Sequence, residues 1–91
     1  MGKVSVEKKA VLGAISLCEY SIECFQMAAK RLTQDYVAAG EMWKDSKYMQ
    51  LGQMIEQCDQ ALRGPITELE DCMEKLRQMS HILEEYERLE L

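Results

Sequence analysis

Val11, Ile15, Cys18, Ile22, Phe25, Ala29, Leu32, Tyr36 and Ala39 recur in steps that alternate between four and three residues. No strand has that period. It is the stripe of a long helix whose one face stays against a neighbour over many turns. A second pattern of the same kind runs through Leu51, Ile55, Cys58, Leu62, Pro65, Leu69, Cys72, Leu76, Met79, Leu83 and Tyr86, widened by Met54, Ile66, Met73 and Ile82. Two such stripes in 91 residues leave little room for anything but two helices and a turn. The composition agrees: one proline, five glycines and many good helix formers.

The turn falls at Ala39-Gly40-Glu41-Met42-Trp43-Lys44-Asp45-Ser46. Gly40 suits a helix end that turns through the left-handed region. Asp45 or Ser46 suits the cap of the following helix. Trp43, the only tryptophan, is expected to anchor the two helices where they meet. The first helix is read over residues 4–39, with a frayed first turn because Lys8 interrupts the stripe. The second is read over residues 46–89. Arg63-Gly64-Pro65 raises a kink or a break there, and the stripe's unbroken phase through Pro65 favours one kinked helix. The fold class is therefore all-α, an antiparallel two-helix hairpin forming one domain over residues 1–91.

A hairpin of this size cannot cover its apolar faces alone. The first helix carries a second stripe of mostly small residues (Ala10, Ala14, Leu17, Ser21, Cys24 and Ala28) beside the first, which calls for a second neighbour. Pairing of two hairpins into a four-helix bundle supplies it. The expected partner is a second copy, giving a homodimer, or a related small helical protein, giving a heterodimer. Within the hairpin the helix interface is assigned to Ile15, Cys18, Ile22, Phe25, Leu32, Ile55, Cys58, Leu62, Leu69 and Leu76.

Charge excludes other classes. The net charge is −5; residues 1–44 carry +1 and residues 45–91 carry −6. There is no basic patch for nucleic acid. No run reaches the ~18 apolar residues of a membrane span, so no stable membrane insertion is expected. No cleavable signal peptide is recognisable either. Glu84, Glu85, Glu87 and Glu90 crowd the negative end of the second helix. In an antiparallel hairpin Lys3, Lys8 and Lys9 lie near enough to offset them. The four cysteines, Cys18, Cys24, Cys58 and Cys72, contain no Cys-x-x-Cys pair, and His81 is the only histidine; no metal site or cofactor is expected. Cys58 and Cys72 are separated by ~21 Å along one helix and cannot bond within a chain. Cys24 facing Cys58 is the one intrachain pairing to weigh, with free thiols as the default. No catalytic set is present.

The arrangement of two long helices, Trp43 at the bend and Tyr86-Glu87-Arg88-Leu89-Glu90 at the tail resembles the Trp-x-Gly (WXG) family of small type VII secretion substrates, of the early-secreted-antigen type. The family's bend reads Trp-x-Gly; here it is Trp43-Lys44-Asp45, with aspartate in the glycine position. Asp45 tolerates a left-handed backbone better than most residues. The resemblance implies a bacterial protein that folds in the cytoplasm and is secreted without a cleavable signal. It assigns Tyr86 and Glu90 to the Tyr-x-x-x-Asp/Glu export signal and Trp43 and Asp45 to the bend motif. The implied partners are the type VII secretion ATPase and a larger secreted toxin that the chain would escort. The residues alone also fit a cytoplasmic helical adaptor or scaffold that binds another helical protein.

Overall fold

In a computed structural model, residues 2–90 are described, with side chains from Ser5 to Leu89. Two helices account for almost all of them: α1, Gly2–Ala39, and α2, Ser46–Glu90. No strand occurs among the described residues. α1 runs without interruption past Lys8, so the expected frayed first turn is replaced by regular helix. α2 runs unbroken through Pro65, which is therefore carried inside one helix. That proline leaves the Ala61 carbonyl without its helical N–H partner. Neither helix is long and apolar enough to cross a membrane.

The chain divides into two compact units. One joins the N-terminal part of α1, up to Ser21, with α2 from Glu68 onward; the other is Ile22–Thr67, with the bend. In the first, Met73 and Leu83 are buried; in the second, Ala29 and Ile66 are. These four are the whole buried apolar core among the described residues. The rest of each seam is half-buried, as expected where only two helices meet.

α1 follows its expected stripe. Val11, Ile15, Cys18, Ile22, Phe25, Leu32, Tyr36 and Ala39 are all half-buried, with Ala29 buried between them. α2 departs from its stripe in an instructive way. The column Ile55, Leu62, Leu69, Leu76 and Leu83 faces inward as expected. Cys58, Cys72, Met79 and Tyr86, assigned to the inward face with it, are exposed. Of the residues that widen the stripe, Ile66 and Met73 turn inward, together with Gly52, Asp59, Ser80 and Glu87, whereas Met54 and Ile82 are exposed.

From one leucine to the next, a step of three then four and a step of four then three both satisfy a heptad; they differ only in which side of the column is covered. The covered side contains polar residues with partners. Asp59 accepts from the Arg63 guanidinium at 3.0 and 3.1 Å, and Glu87 meets Lys8 at 3.3 Å. The more apolar side is left outside. Cys58 is thus removed from the hairpin's own interface.

Two adjacent residues test this register. Met73→Ala empties a buried site and is expected to cost about 2–5 kcal/mol in a urea melt under reducing conditions. Cys72→Ala, one position earlier and exposed, is expected to change stability by less than about 0.5 kcal/mol.

Candidate functional site

The bend is closed by two interlocking devices. Asp45 caps α2, its Oδ1 accepting from the backbone N–H groups of Lys47 at 2.9 Å and Tyr48 at 3.1 Å. The same oxygen accepts from the Trp43 indole N–H at 2.7 Å. Asp45 therefore satisfies two orphan helix donors and fastens the tryptophan with one oxygen. Trp43 remains 38% exposed and leans on Tyr48, with ring centroids 5.8 Å apart. It covers the cap rather than wedging between the helices. No described residue, glycine or other, has positive φ. The chain leaves α1 by tightening, with the Gly40 N–H shared between the Tyr36 and Val37 carbonyls at 3.2 and 3.1 Å. The left-handed turn expected at Gly40 is not used.

Gly40 has a different purpose. A Cβ built there would overlap the Tyr48 hydroxyl and lie 2.7 Å from its Cζ. Gly52 stands in the same relation to Tyr36, with Cζ at 2.9 Å. The two tyrosine rings stack at 4.3 Å, tilted by 7°. Each hydroxyl donates to the other residue's carbonyl: Tyr48 to Tyr36 at 2.8 Å and Tyr36 to Tyr48 at 3.1 Å. The clasp is reciprocal because the sequence is: Tyr36-x-x-x-Gly40 on one helix and Tyr48-x-x-x-Gly52 on the other. Sequence reading assigned Tyr36 to the stripe and missed this repeated tetrad spacing, which was its available signal.

At the far end, Lys8 reaches both Glu87 at 3.3 Å and Glu84 at 3.7 Å. It offsets the acidic end of α2 as expected of one of the N-terminal lysines. Arg77 and Glu19 approach to 3.7 Å. Beside them Leu12, Ile15, Arg77, Ser80, His81 and Glu84 line a shallow groove. That groove fixes which side of this unit is polar. Residues one position after the inward columns (Leu12 and Glu19 on α1, Arg77 and Glu84 on α2) lie on it.

Residues one position before the columns lie on the opposite side, because one helical step is 100°. This flank carries Ala10, Ala14, Leu17 and Ser21 from α1, and Glu68, Cys72, Lys75, Met79, Ile82 and Tyr86 from α2, so that Glu68 and Lys75 are its charges among these residues. Leu17 is 68% exposed and Tyr86 57%. By the same count Cys24, Ala28, Met54, Cys58 and Ala61 take the equivalent positions in the other unit, and all are exposed. All four cysteines are free thiols.

Of the two residues that the resemblance assigns to an export signal, Tyr86 lies on this flank, while the Glu90 side chain lies outside the described residues. Among the described residues no cluster of His, Cys, Asp or Glu has metal-site geometry. No family model, curated protein or solved structure matches this chain.

The clasp generates two expectations. Gly52→Ala forces the pinned Tyr36 ring aside and is expected to cost about 1–3 kcal/mol. Gly13→Ala meets nothing within 4 Å and should stabilise the helix by about 0.5–1 kcal/mol; thermal melts of the two variants should move in opposite directions. The Tyr48 hydroxyl holds its proton above the ordinary tyrosine range, first because it is withdrawn from water and then because of its hydrogen bonding and charge coupling to Tyr36. The folded state therefore binds that proton more tightly than the unfolded chain. The associated stability is complete below about pH 10 and is lost as pH rises through the folded value. Urea midpoints should fall more steeply above about pH 10 in the parent than in Tyr48→Phe.

Proposed function

We propose that this chain is a WXG-like helical protein that pairs through its apolar flank and is exported by, or escorts a partner or toxin through, a type VII secretion system. The flank is the observation that carries the pairing. In the unit that joins the N-terminal part of α1 to α2 from Glu68 onward, one side is lined by Leu12, Glu19, Arg77 and Glu84, and on the opposite side Leu17, Cys72, Met79, Ile82 and Tyr86 are all exposed. A four-helix bundle is the simplest arrangement that would cover this flank.

The export role rests on the resemblance. Its supports are the length, the tryptophan held at the bend, and an aromatic residue presented outward near the C-terminus. Tyr86 and Glu87 separate two tasks within one turn: Glu87 ties the tail to Lys8, and Tyr86 is left outside the hairpin's own seam for a partner chain or a secretion ATPase. The bundle and the tail together describe a carrier.

Tyr86→Ala removes an exposed ring and is expected to change stability by no more than about 0.5 kcal/mol. It should nevertheless abolish appearance of the protein in culture supernatant of cells with an active type VII ATPase. Retention of the parent protein inside such cells would sink the export reading. Sedimentation of the reduced protein at micromolar concentration should give a dimer, and a monomer would remove the pairing argument.

A further inference from the structure

We infer that the outer face of α1 is a contact for the α1 helix of a second copy, laid antiparallel with the two-fold axis beside Ser16. The inference rests on the pairing reading above and specifies its occupant, direction and register.

A third period runs along α1. From Val6 it passes through Ala10, Gly13, Leu17, Tyr20 and Cys24 to Met27, again in steps of four and three. Every one of these residues is exposed. Val6, Leu17 and Met27 are each 68% exposed and Tyr20 65%. α1 is one uninterrupted helix, so this period draws a single stripe along its outer face. The stripe adjoins the flank described above and shares Ala10 and Leu17 with it. Past Met27 the same period falls on Arg31 and Gln34, which ends the apolar length at residues 6–27.

One edge of the stripe carries Lys9, Ser16, Glu23 and Lys30, all exposed. The other carries Glu7, Ala14, Ser21 and Ala28. The charges of the first edge decide how a second copy of the stripe can lie on it. Parallel pairing sets Lys9 against Lys9 and Glu23 against Glu23. Antiparallel pairing about Ser16 sets Lys9 level with the partner's Glu23, twice by symmetry. A shift of one heptad in one direction brings Lys9 onto the partner's Lys30, and in the other direction onto the partner's Ser16. Pairing Glu23 with Lys30 instead centres the contact near Met27 and carries Val6 and Ala10 beyond the end of the partner's α1.

About Ser16 the stripe also meets itself well. Val6 lies beside the partner's Met27, Leu17 beside the partner's Leu17, and Tyr20 over the partner's Gly13 and Ala10. Large side chains thus meet large or small apolar ones, and no charge is laid on the stripe. Exposed ion pairs are weak. Their part is to select direction and register, while apolar burial drives association.

The reduced full chain and its variants are sedimented at micromolar concentration, after circular dichroism has shown parent-like helix content. Lys9→Glu and Glu23→Lys each put two like-charge pairs at the contact and are expected to raise the dimer dissociation constant roughly tenfold. The double variant should return it to near the parent value. So should an equimolar mixture of the two single variants, in which both pairs are again complementary. Lys9 and Glu23 are ~21 Å apart on one helix, so an amide formed between them by a carbodiimide joins two copies; peptide mapping of the cross-linked dimer should find it. A reduced dimer with the same constant in the parent and both single variants, or one that the double variant does not restore, overturns the contact and leaves the pairing reading standing. A reduced monomer removes the pairing reading and this inference together.

Discussion

Two helices that pack only against each other share a single seam, and each can bury only one stripe of its surface. Everything else in this protein follows from how that one seam is allotted. The fully buried apolar residues number four among those described, far fewer than the apolar residues available. Hydrophobic burial within each unit is therefore limited by geometry, since the sequence supplies more apolar surface than two helices can hide. The seam also determines what is left outside. By covering the side of α2 with Asp59, Ile66, Met73 and Glu87, the fold leaves the Cys58, Cys72, Met79 and Tyr86 side uncovered.

A limited seam makes the ends important. At the bend, stacking, two reciprocal hydrogen bonds and two glycine clearances act on the same pair of tyrosines. Beside them one carboxylate oxygen takes three N–H donors. Each contact alone is modest, on the order of 1 kcal/mol. Their value lies in fixing register. A stacked pair that also exchanges hydrogen bonds with the opposite backbone has one geometry, so a one-turn slip of α2 along α1 would break every contact at once. The Lys8 contacts with Glu84 and Glu87 tie the other end in the same sense, with less specificity because two acceptors are within reach.

The helices, their limits and the passage of α2 through Pro65 were legible in the sequence because each is a one-dimensional signal: a period, a turn cluster, an uninterrupted phase. The inward column of leucines was legible for the same reason. Which neighbour of that column would be buried was not. Counting apolarity favours Cys58, Cys72, Met79 and Tyr86, and that count is blind to the partners that make Asp59 and Glu87 acceptable inside. Gly40 shows the same limit. Its identity suggested a left-handed turn, but its reason is a tyrosine on the other helix, which no local rule can see. Asp45 was legible as a cap, yet its grip on the Trp43 indole required the folded bend.

The misread side of α2 is also the most informative feature of the chain. Had the fold buried its most apolar side, the remaining surface would be that of an ordinary charged hairpin, and the second stripe of α1 would have no counterpart. Instead the small residues of α1 and the larger Met, Ile and Tyr side chains of α2 lie on one flank in the unit that contains both ends. Stability and association are then linked, because any partner that binds this flank favours the folded hairpin by mass action.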